Sequence, residues 1–349
     1  MSLGSKTVSI HEVLAECGVV GAGGAGFPSH IKANAVYEYI IANGAECEPL
    51  LQSDNLTMRT EAAKIVDALE ILIQSTGALK GFIAVKKKNS QAVEKLSRTI
   101  KQSKNIELYL LDSFYPVGDE RILIYEITGR LVPEHGIPPD IGVAVFNVET
   151  LRNIYDAYYN HIPVTTRTVT CIGEVADPSV CTLPVGTAIR DIVSCCGGLT
   201  TDNPFFIIGG PMMGRVTDDI DTPIDKKTNG IIFLSEEHPL IQRKTMQPEV
   251  IIKQSRAVCC QCTYCTDLCP RTMLGYSLYP HVIMRAIGYG LDYPPEPVAA
   301  AAVCSECGLC EIYACTMGLS PARINGLIKE KLAEAQFPAV SYAEDDYNV

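Results

Sequence analysis

Eight of the fifteen cysteines in this chain fall into two short, regularly spaced runs. The first run has the spacing C-x2-C-x2-C-x3-C-P and consists of Cys259, Cys262, Cys265 and Cys269, with Pro270 after it. The second has the spacing C-x2-C-x2-C-x4-C and consists of Cys304, Cys307, Cys310 and Cys315. The first spacing is typical of [4Fe–4S] cluster binding, because one tight turn can direct three closely spaced thiolates at the same cluster. The sequence therefore predicts two iron–sulfur clusters.

The fourth cysteine of each run is expected to serve the other cluster, as it does in two-cluster proteins with this spacing. We predict one cluster on Cys259, Cys262, Cys265 and Cys315, and the other on Cys304, Cys307, Cys310 and Cys269. Thr316 rather than proline follows Cys315, and the gap before Cys315 is one residue longer than in the first run. We therefore expect a departure from regular geometry in the second run. Cys260 is interpreted as a spare thiol or an alternative ligand.

Two other uses of clustered cysteines fit the sequence less well. A disulfide framework is typical of secreted chains, and the first residues lack the apolar region of a signal peptide. Structural zinc usually takes two C-x2-C pairs rather than triplets with a fourth cysteine. Fifteen cysteines without a secretion signal indicate a reducing compartment, so we expect a cytoplasmic protein with metal or redox chemistry.

The composition is that of a protein with substantial hydrophobic cores. A chain of 349 residues with a hydrophobic fraction of 47% is expected to form two or three domains. Its net charge of -11 at pH 7 argues against nucleic acid as a partner, because binding to phosphate backbones needs a basic surface. No apolar run reaches the roughly 18 residues that a membrane helix needs, so direct membrane insertion is not expected.

Strand and helix patterns alternate through the first 160 residues. Strands are predicted at 37–42, 81–86, 106–111 and 142–146, and helices at 9–16, 58–74, 90–100, 119–128 and 149–159. This alternation predicts a parallel sheet with helices on its faces, and ligands of such sheets bind beyond the carboxyl ends of the strands. Asn43, residues 115–120 and residues 147–150 fall at those ends, and together they form a candidate site.

A glycine-rich stretch, Gly21-Ala-Gly-Gly-Ala-Gly26, precedes the first predicted strand. Closely spaced glycines let backbone N–H groups approach a phosphate. The stretch follows a helix rather than a strand, so it is not the ordinary dinucleotide-binding fingerprint, and a structural turn is the alternative. Lys32 could supply a counter-charge for a phosphate or be an ordinary exposed lysine.

The rest of the chain divides by pattern into a small α+β segment and a helical cysteine segment. Residues 164–248 alternate short strands with one helix at 187–195, which indicates a small α+β unit. Residues 249–335 contain both cysteine runs, a predicted helix at 273–287 between them and an amphipathic helix at 321–335. Residues 336–349 are polar and acidic and are expected to form a frayed tail.

Four motifs, in order along the chain, resemble the flavin site of the NADH-oxidising flavoprotein subunit of respiratory complex I and its relatives. They are the stretch 21–32, the acidic loop 42–49, the turn 115–120 and the turn 147–150. In that family FMN lies along the glycine-rich loop and NADH stacks over the flavin ring. This chain departs from complex I in having Ala22 where an arginine is frequent and Asp119 where glutamate is usual.

The resemblance assigns expected roles to individual residues. It implies that the phosphate side of FMN is held by Gly23, Gly24, Gly26 and Lys32. It places near the ribityl chain and the ring Asn43, Gly118, Asp119, Asn147 and Thr150. It places near NADH, the expected electron donor, Phe27, Glu46, Glu48 and Glu120. No catalytic base is assigned, because electron transfer through a flavin requires little general acid–base chemistry from the protein.

The later segments extend the resemblance over nearly the whole chain. Residues 164–248 resemble the soluble-ligand-binding β-grasp (SLBB) domain of the same family, and residues 249–335 resemble a bacterial ferredoxin with two [4Fe–4S] clusters. The expected fold is therefore an α/β flavin-binding domain of the complex I flavoprotein-subunit type at 1–163, followed by a β-grasp domain at 164–248. A small α-helical two-cluster domain at 249–335 and a tail at 336–349 complete it.

The order of these parts is similar to that in two families. The electron-input component of Rnf-type electron-transport complexes has the same parts but carries another domain before its glycine-rich loop. The cobalamin reductases of propanediol-utilisation microcompartments match more closely, with segments 265–271 and 320–325 strengthening the resemblance.

These resemblances imply an oxidoreductase that passes electrons from NADH through FMN and two [4Fe–4S] clusters to a corrinoid or a redox protein. A homo-oligomer, microcompartment proteins as partners, and a location inside a bacterial microcompartment are further expectations that the resemblance allows. The alternatives are an electron-input subunit of an Rnf-type membrane complex, and an electron-transfer protein whose nucleotide site is vestigial.

Overall fold

The computed structural model describes residues 9–288 and 296–335. The predicted tail at 336–349 lies outside the described residues. The chain divides into two units, Met1–Arg130 with Pro138–Lys244, and Leu131–Ile137 with Thr245–Val349. The first unit contains both sheets, and the second contains both cysteine runs. The predicted domain limits at 163 and 248 stay predictions.

The first sheet has four parallel strands in the order β3-β2-β1-β4. The strands are β1 (Tyr39–Gly44), β2 (Lys80–Lys86), β3 (Ile106–Leu111) and β4 (Val143–Asn147). The helices are α1 (Ile10–Glu16), α2 (Ser29–Lys32), α3 (Ser53–Thr60), α4 (Ala62–Thr76), α5 (Ser90–Thr99), α6 (Glu120–Thr128) and α7 (Val148–Asn160), with 3₁₀ turns at Ile100–Gln102 and Pro138–Ile141. The predicted alternation of strands and helices is confirmed.

Helix α4 shows why helices cover this sheet. It buries Ile65, Leu69 and Leu72 along one face, at the spacing that places side chains on a single stripe of a helix. It ends at Gly77, whose φ of 71° is the left-handed conformation common at helix C-termini. The single helix predicted at 58–74 is wrong, because the backbone leaves the helical region at Glu61 (φ -117°, ψ 23°) and separates α3 from α4.

The second sheet of the first unit has five strands in the order β6-β5-β9-β7-β8. The strands are β5 (Thr166–Gly173), β6 (Ser179–Pro184), β7 (Pro204–Ile208), β8 (Arg215–Thr217) and β9 (Gly230–Ser235), and the helices are α8 (Ile189–Cys195) and α9 (Pro239–Thr245). Strands β5 and β9 run parallel, whereas the other pairs are antiparallel. Ile189 and Ile192 of α8 pack with Phe206 and Phe233 of the sheet in a separate core. The predicted small α+β unit is confirmed.

In the second unit, the described residues from 248 onward are mainly helical. Its elements are α10 (Pro248–Val258), α11 (Tyr264–Asp267), α12 (Pro270–Met273), α13 (Pro280–Gly288), α14 (Glu296–Ala299), a 3₁₀ turn at Ala300–Val303, a π-helix at Cys310–Ala314 and α15 (Pro321–Glu334). The predicted helix at 321–335 is confirmed. The helix predicted at 273–287 is wrong in its first half, because Pro280, which lacks a backbone N–H, begins a new helix after a turn at Gly275 (φ 87°).

Residues 131–137 belong to this second unit. The Tyr276 hydroxyl donates a hydrogen bond to the Val132 carbonyl at 2.7 Å, and the Ser277 N–H donates one to Glu134 Oε1 at 3.1 Å. Across residues 9–288 and 296–335, no helix has both the length and the apolar character needed to cross a bilayer.

Candidate functional site

Asn43 and Asn147 lie opposite each other at the carboxyl ends of β1 and β4. Chain order proceeds outward from β1 through β2 to β3 and then returns to the other side of β1 at β4. The direction of winding therefore reverses between β1 and β4, and ligands of open α/β sheets bind in the crevice at such a point. The fold brings these two candidate residues together at the position where a cofactor is expected.

The side-chain amide of Asn43 is fixed by two hydrogen bonds to backbone groups. Its Nδ2 donates to the Gly118 carbonyl at 3.0 Å, and its Oδ1 accepts from the Ala45 N–H at 3.1 Å. Gly118 has no room for a side chain, because an added Cβ would lie 2.9 Å from Cys47 Cβ. Asn43 and Gly118, which lie in separate sequence motifs, thus hold the loop after β1 close to the loop before α6.

Asp119 and Asn147 each cap the helix that follows them. The Asp119 carboxylate accepts from the Arg121 and Ile122 N–H groups at 3.1 and 3.3 Å, and Asn147 Oδ1 accepts from the Glu149 N–H at 2.8 Å. Such caps satisfy backbone donors that have no partner inside the helix. They also fix the direction of both side chains at the carboxyl edge of the sheet.

The Asn147 amide group donates to a buried acid. Asn147 Nδ2 donates to Asp54 Oδ2 at 2.7 Å. Burial, and after it the nearby Glu46 carboxylate, raise the pKa of Asp54 to about 8. Asp54 is a residue that the motifs did not single out, and it orients one of the residues that they did.

The glycine-rich stretch is held at both sides of Ala22. The Ala22 N–H donates to Thr150 Oγ1 at 2.8 Å, and the Ala22 carbonyl accepts from Arg167 Nη2 at 2.6 Å. Gly23 lies beside Asn147, since an added Cβ would be 3.5 Å from Asn147 Cβ. Gly24 has a φ of 108° and open space where a side chain would stand. The loop therefore presents bare backbone at the β1–β4 crevice, which fits the close approach of a phosphorylated cofactor such as FMN.

Arg167 is the residue that sequence reasoning missed. It lies on β5 with 1% of its surface exposed, pairs with the buried Glu149 carboxylate and donates from Nε to the Thr228 carbonyl at 2.7 Å. Glu149 also accepts from the Thr168 N–H at 3.0 Å. The sequence offered one signal for this residue, an isolated arginine in a strand-like stretch. If such an arginine is buried, it requires a charged partner, and it then ties two parts of the chain together.

Lys32, Phe27 and Glu120 lie together. Lys32 Nζ donates to the Val145 carbonyl at 3.0 Å and lies 3.4 Å from Glu120 Oε1. The same ammonium is 5.8 Å from the Phe27 ring centroid. The charge of Lys32 is thus directed at Glu120, and its role at a phosphate stays a prediction.

Glu46 and Glu48 both accept backbone hydrogen bonds. Glu46 accepts from the Asp54 and Asn55 N–H groups at 2.8 and 3.0 Å, at the start of α3. Glu48 accepts from the Met212 and Met213 N–H groups at 2.9 and 2.7 Å. Burial raises the pKa of both carboxyls, although these hydrogen bonds oppose the shift. Both residues therefore stabilise loops, and their roles toward NADH stay predictions.

A cleft of about 220 Å³ opens beside these acids, at the carboxyl ends of β1, β2 and β3. It is lined by Glu46, Cys47, Glu48, Pro49, Leu50, Leu51, Gln52, Lys86, Lys88, Asn89, Ser113, Phe114 and Tyr115. Lys86 Nζ donates to the Glu46 carbonyl at 3.0 Å, and burial lowers the pKa of this lysine. The cleft combines aromatic, basic and acidic groups, as a nucleotide site would.

The eight thiols of the two regular cysteine runs surround two separate cavities. One cavity is lined by Cys259, Cys262, Cys265 and Cys315. The other is lined by Cys269, Cys304, Cys307 and Cys310. This is the grouping that the spacing predicts, with the fourth cysteine of each run crossing to the other cavity. Cys260 is exposed and also lines the first cavity, so both interpretations of this thiol remain open.

The two cysteine loops share a backbone conformation. Gln261 and Thr263 in the first loop and Glu306 and Gly308 in the second have positive φ angles of 56°, 70°, 57° and 76°. Three of these residues carry side chains that rarely adopt that region, so the turns are held against strain. In the second loop the Glu306 N–H donates to the sulfur of Cys304 at 3.3 Å.

The extra residue before Cys315 is accommodated by a π-helix. Residues Cys310–Ala314 form a five-residue π-helix, a wider turn that takes one more residue than an α-helical turn. Cys315 consequently reaches the cavity of Cys259, and its sulfur accepts from the Leu319 N–H at 3.3 Å. The expected departure in the second run is thus local, and the grouping of thiols is kept.

The thiols fit iron–sulfur clusters chemically. Burial raises the pKa of Cys265 to about 12 and that of Cys304 to about 11, so bound iron would have to stabilise the thiolates. Among the described residues, no three His, Cys, Asp or Glu side chains converge closely enough for a single metal ion. A [4Fe–4S] cluster spaces its four thiolates more widely than one ion does, because each binds a different iron.

Comparison with known families gives the same order of parts. Residues 14–156 match the Nuo51 FMN-binding domain, residues 168–216 match the SLBB domain and residues 258–320 match a 4Fe-4S dicluster domain. The predicted fold class is therefore confirmed. In solved structures, the chain of an NAD+-reducing [NiFe]-hydrogenase in the H2-reduced state has the same fold, with a TM-score of 0.60 and 18% identity over 95% of this chain and 64% of that chain.

Similar sequences are found among two groups of proteins. Cobalamin reductase PduS of Salmonella typhimurium is 42% identical over 323 residues, which are 93% of this chain and 71% of the relative. The same reductase of Citrobacter freundii is also 42% identical, with the same coverage. A component of the Na(+)-translocating ferredoxin:NAD(+) oxidoreductase complex of Acetobacterium woodii is 34% identical over 75% of this chain and 58% of that component. By its identity to these reductases over most of both chains, this protein belongs to the cobalamin reductase PduS family.

Proposed function

We propose that this chain is an NADH-dependent oxidoreductase that passes electrons through FMN and two [4Fe–4S] clusters to a corrinoid. The observation that carries the proposal is the pairing of Asn43 with Asn147 at the β1–β4 crevice, beside the bare glycine-rich loop. This crevice occurs in the same chain as two cavities, each lined by four thiols of the two regular cysteine runs. A flavin site and two cluster sites in one chain form a converter between two-electron and one-electron chemistry.

FMN, when bound, would accept an electron pair from NADH and release electrons singly to the clusters. The protein's own task is positioning. Thr150 and Arg167 fix Ala22 from both sides, so the glycine-rich loop would be in place before the cofactor binds. Asp54 holds the Asn147 amide, and Gly118 holds the Asn43 amide, so both side chains would meet the cofactor in one orientation. Preorganised polar groups lower the reorganisation that accompanies a change of charge on a bound group.

NADH is assigned as the electron donor because of the residues in and around the acidic loop. Glu46 and Glu48 border the cleft that also contains Phe114 and Tyr115. Aromatic rings and carboxylates are suited to the nicotinamide and ribose parts of a dinucleotide, and Lys88 is suited to its phosphates. Phe27 and Glu120 lie beside Lys32 and are the remaining candidates for contact with NADH.

The acceptor is assigned to a corrinoid because the relatives with 42% identity are cobalamin reductases. The corresponding location is a bacterial microcompartment, and microcompartment proteins would be its neighbours. The experiment is an anaerobic stopped-flow measurement with protein reconstituted with FMN, iron and sulfide. NADH should bleach the flavin band and then the cluster band. Flavin that stays oxidised in protein with full cofactor content would refute the proposal.

A second candidate is the electron-input subunit of an Rnf-type complex, which the identity of 34% to a component of the Acetobacterium woodii complex favours. A protein of this kind would exchange electrons with ferredoxin rather than with a corrinoid. Comparing cob(III)alamin with oxidised ferredoxin as acceptors for NADH-reduced protein separates the two candidates. A vestigial nucleotide site, the third alternative, would leave the purified protein without FMN.

A further inference from the structure

We propose that Lys227, on the β-grasp part of the first unit, binds the phosphate of the flavin held at the glycine-rich loop. The inference rests on the proposed function, since it names a further ligand for the same cofactor. The Lys227 side chain lies across Gly26, where an added Cβ would be 2.8 Å from its Cδ and 3.2 Å from its Cγ. Its Cε is 4.0 Å from the same position, so the aliphatic part of Lys227 packs on the loop whose bare backbone fits a phosphate, and the ammonium lies one bond further along the side chain.

The turn that carries Lys227 is held firmly against the loop. Asp225 Oδ1 accepts from the Lys227 N–H at 2.8 Å and from Thr228 Oγ1 at 3.0 Å. The Thr228 carbonyl in turn accepts from Arg167, which also holds Ala22 of the glycine-rich loop. One buried arginine thus fixes both the turn and the loop, so the position of Lys227 over Gly26 is a consequence of the fold.

The other nearby cations have protein partners that use their charge. Lys32 donates to the Val145 carbonyl and lies 3.4 Å from Glu120. Lys226 Nζ donates to the Gly18 carbonyl at 2.7 Å. Lys227 has a looser partner, because its Nζ is 3.5 Å from Asp225 Oδ2 and both side chains are about half exposed, at 51% and 53%. An exposed pair of this kind contributes little, so a phosphate dianion can compete for the ammonium.

The distance of Lys227 from the glycine-rich loop in the sequence explains why motifs alone assign the phosphate to Lys32. Lys32 follows the glycine-rich loop directly, whereas Lys227 lies about 200 residues later in a different sheet-forming segment. Only the packing of the β-grasp turn on the loop brings Lys227 to Gly26.

The test compares FMN with riboflavin, which has the same ring and ribityl chain but no phosphate. Lys227→Gln should raise the Kd for FMN at least about tenfold, because a charge-assisted hydrogen bond is lost. The Kd for riboflavin should stay unchanged. Lys227→Arg should keep most of the FMN affinity, since a guanidinium also binds phosphate. Lys101→Gln, at an exposed site on the 3₁₀ turn after α5, is the matched control and should change neither affinity.

Flavin titration of the full chain by fluorescence quenching measures the affinities of the wild type and the three variants. Equal weakening of FMN and riboflavin binding in Lys227→Gln would overturn the inference, and so would an unchanged FMN affinity. Either result leaves the proposed function standing, because the wild-type chain still binds FMN. A wild-type chain that binds neither flavin would overturn the proposed function and this inference together.

Discussion

Arg167 donates a hydrogen bond of 2.6 Å to the carbonyl oxygen of Ala22, 145 positions earlier in the sequence. The donor lies on a strand of the β-grasp sheet, and the acceptor lies in the glycine-rich loop of the flavin-binding part. The same guanidinium pairs with the buried Glu149 carboxylate, two positions after Asn147. The flavin loop is therefore positioned by a residue of the following structural segment.

Replacing Arg167 with methionine should destabilise the first unit by about 3–5 kcal/mol, because it leaves the Glu149 carboxylate buried and without its closest cation. The variant should also retain less FMN through purification, since Ala22 loses the contact at its carbonyl. Urea unfolding and flavin extraction measure the two effects. Arg190→Met is the control, because Arg190 and Asp221 form an exposed pair, which contributes at most about 1 kcal/mol. A variant at Arg167 with the wild-type unfolding midpoint would contradict this account.

The crossed grouping of thiols predicts which pairs of cysteine substitutions act on the same cluster. Cys259→Ser with Cys315→Ser should remove one cluster and leave about four iron atoms per chain. Cys259→Ser with Cys269→Ser should remove both, although these two cysteines belong to the same run. Iron and sulfide analysis of anaerobically reconstituted protein measures the outcome. If each run held its own cluster, the two double variants would exchange results. Cys260→Ser should leave both clusters in place.

The raised pKa of Asp54 predicts a specific pH dependence of stability. Burial raises the folded-state pKa to about 8, whereas an unfolded aspartate ionises near pH 4. Between these values the folded chain holds a proton that the unfolded chain releases. The contribution of Asp54 to stability is therefore complete below about pH 4, falls as the pH rises, and is lost above about pH 8.

Asp54→Asn cannot ionise and keeps an oxygen to accept from Asn147. The free energy of unfolding of the wild type, relative to this variant, should therefore fall steadily from about pH 4 to about pH 8 and stay level above that. Urea unfolding of both proteins at several pH values gives the difference. Asp112→Asn, at a carboxyl with a side chain that is 75% exposed, serves as the control and should follow the wild type. A difference between the wild type and Asp54→Asn that does not change with pH would show that Asp54 is already ionised in the folded chain.

The sequence was sufficient for the features that are local in the chain. Cysteine spacing predicted two groups of four thiols, and the strand at Ile106–Leu111 was predicted with the bounds observed. Alternation of strands and helices predicted the parallel sheet, and with it the position of Asn43 and Asn147 at its carboxyl edge. These features depend on periodicity and short spacing, which a single sequence contains.

Features that depend on distant contacts could not be predicted. The helix expected at 273–287 failed because apolar spacing continues across a turn that ends at Pro280. The acidic loop did not indicate that the Glu48 carboxylate accepts from the N–H groups of Met212 and Met213, 164 and 165 positions away, and the expected role of Glu48 toward NADH stays a prediction. Arg167 and Lys227 act on the glycine-rich loop through tertiary packing alone.

In the proposed function, electrons from NADH reach a corrinoid through the clusters of this chain. The most direct measurement follows the reduction of cob(III)alamin spectroscopically under anaerobic conditions, with NADH as the sole donor. Wild-type protein should reduce the corrinoid, whereas Cys259→Ser with Cys315→Ser should still let NADH bleach its FMN but should reduce the corrinoid far more slowly. Corrinoid reduction by this double variant at the wild-type rate would contradict the account, and so would wild-type protein, reconstituted with FMN and both clusters, that leaves cob(III)alamin oxidised.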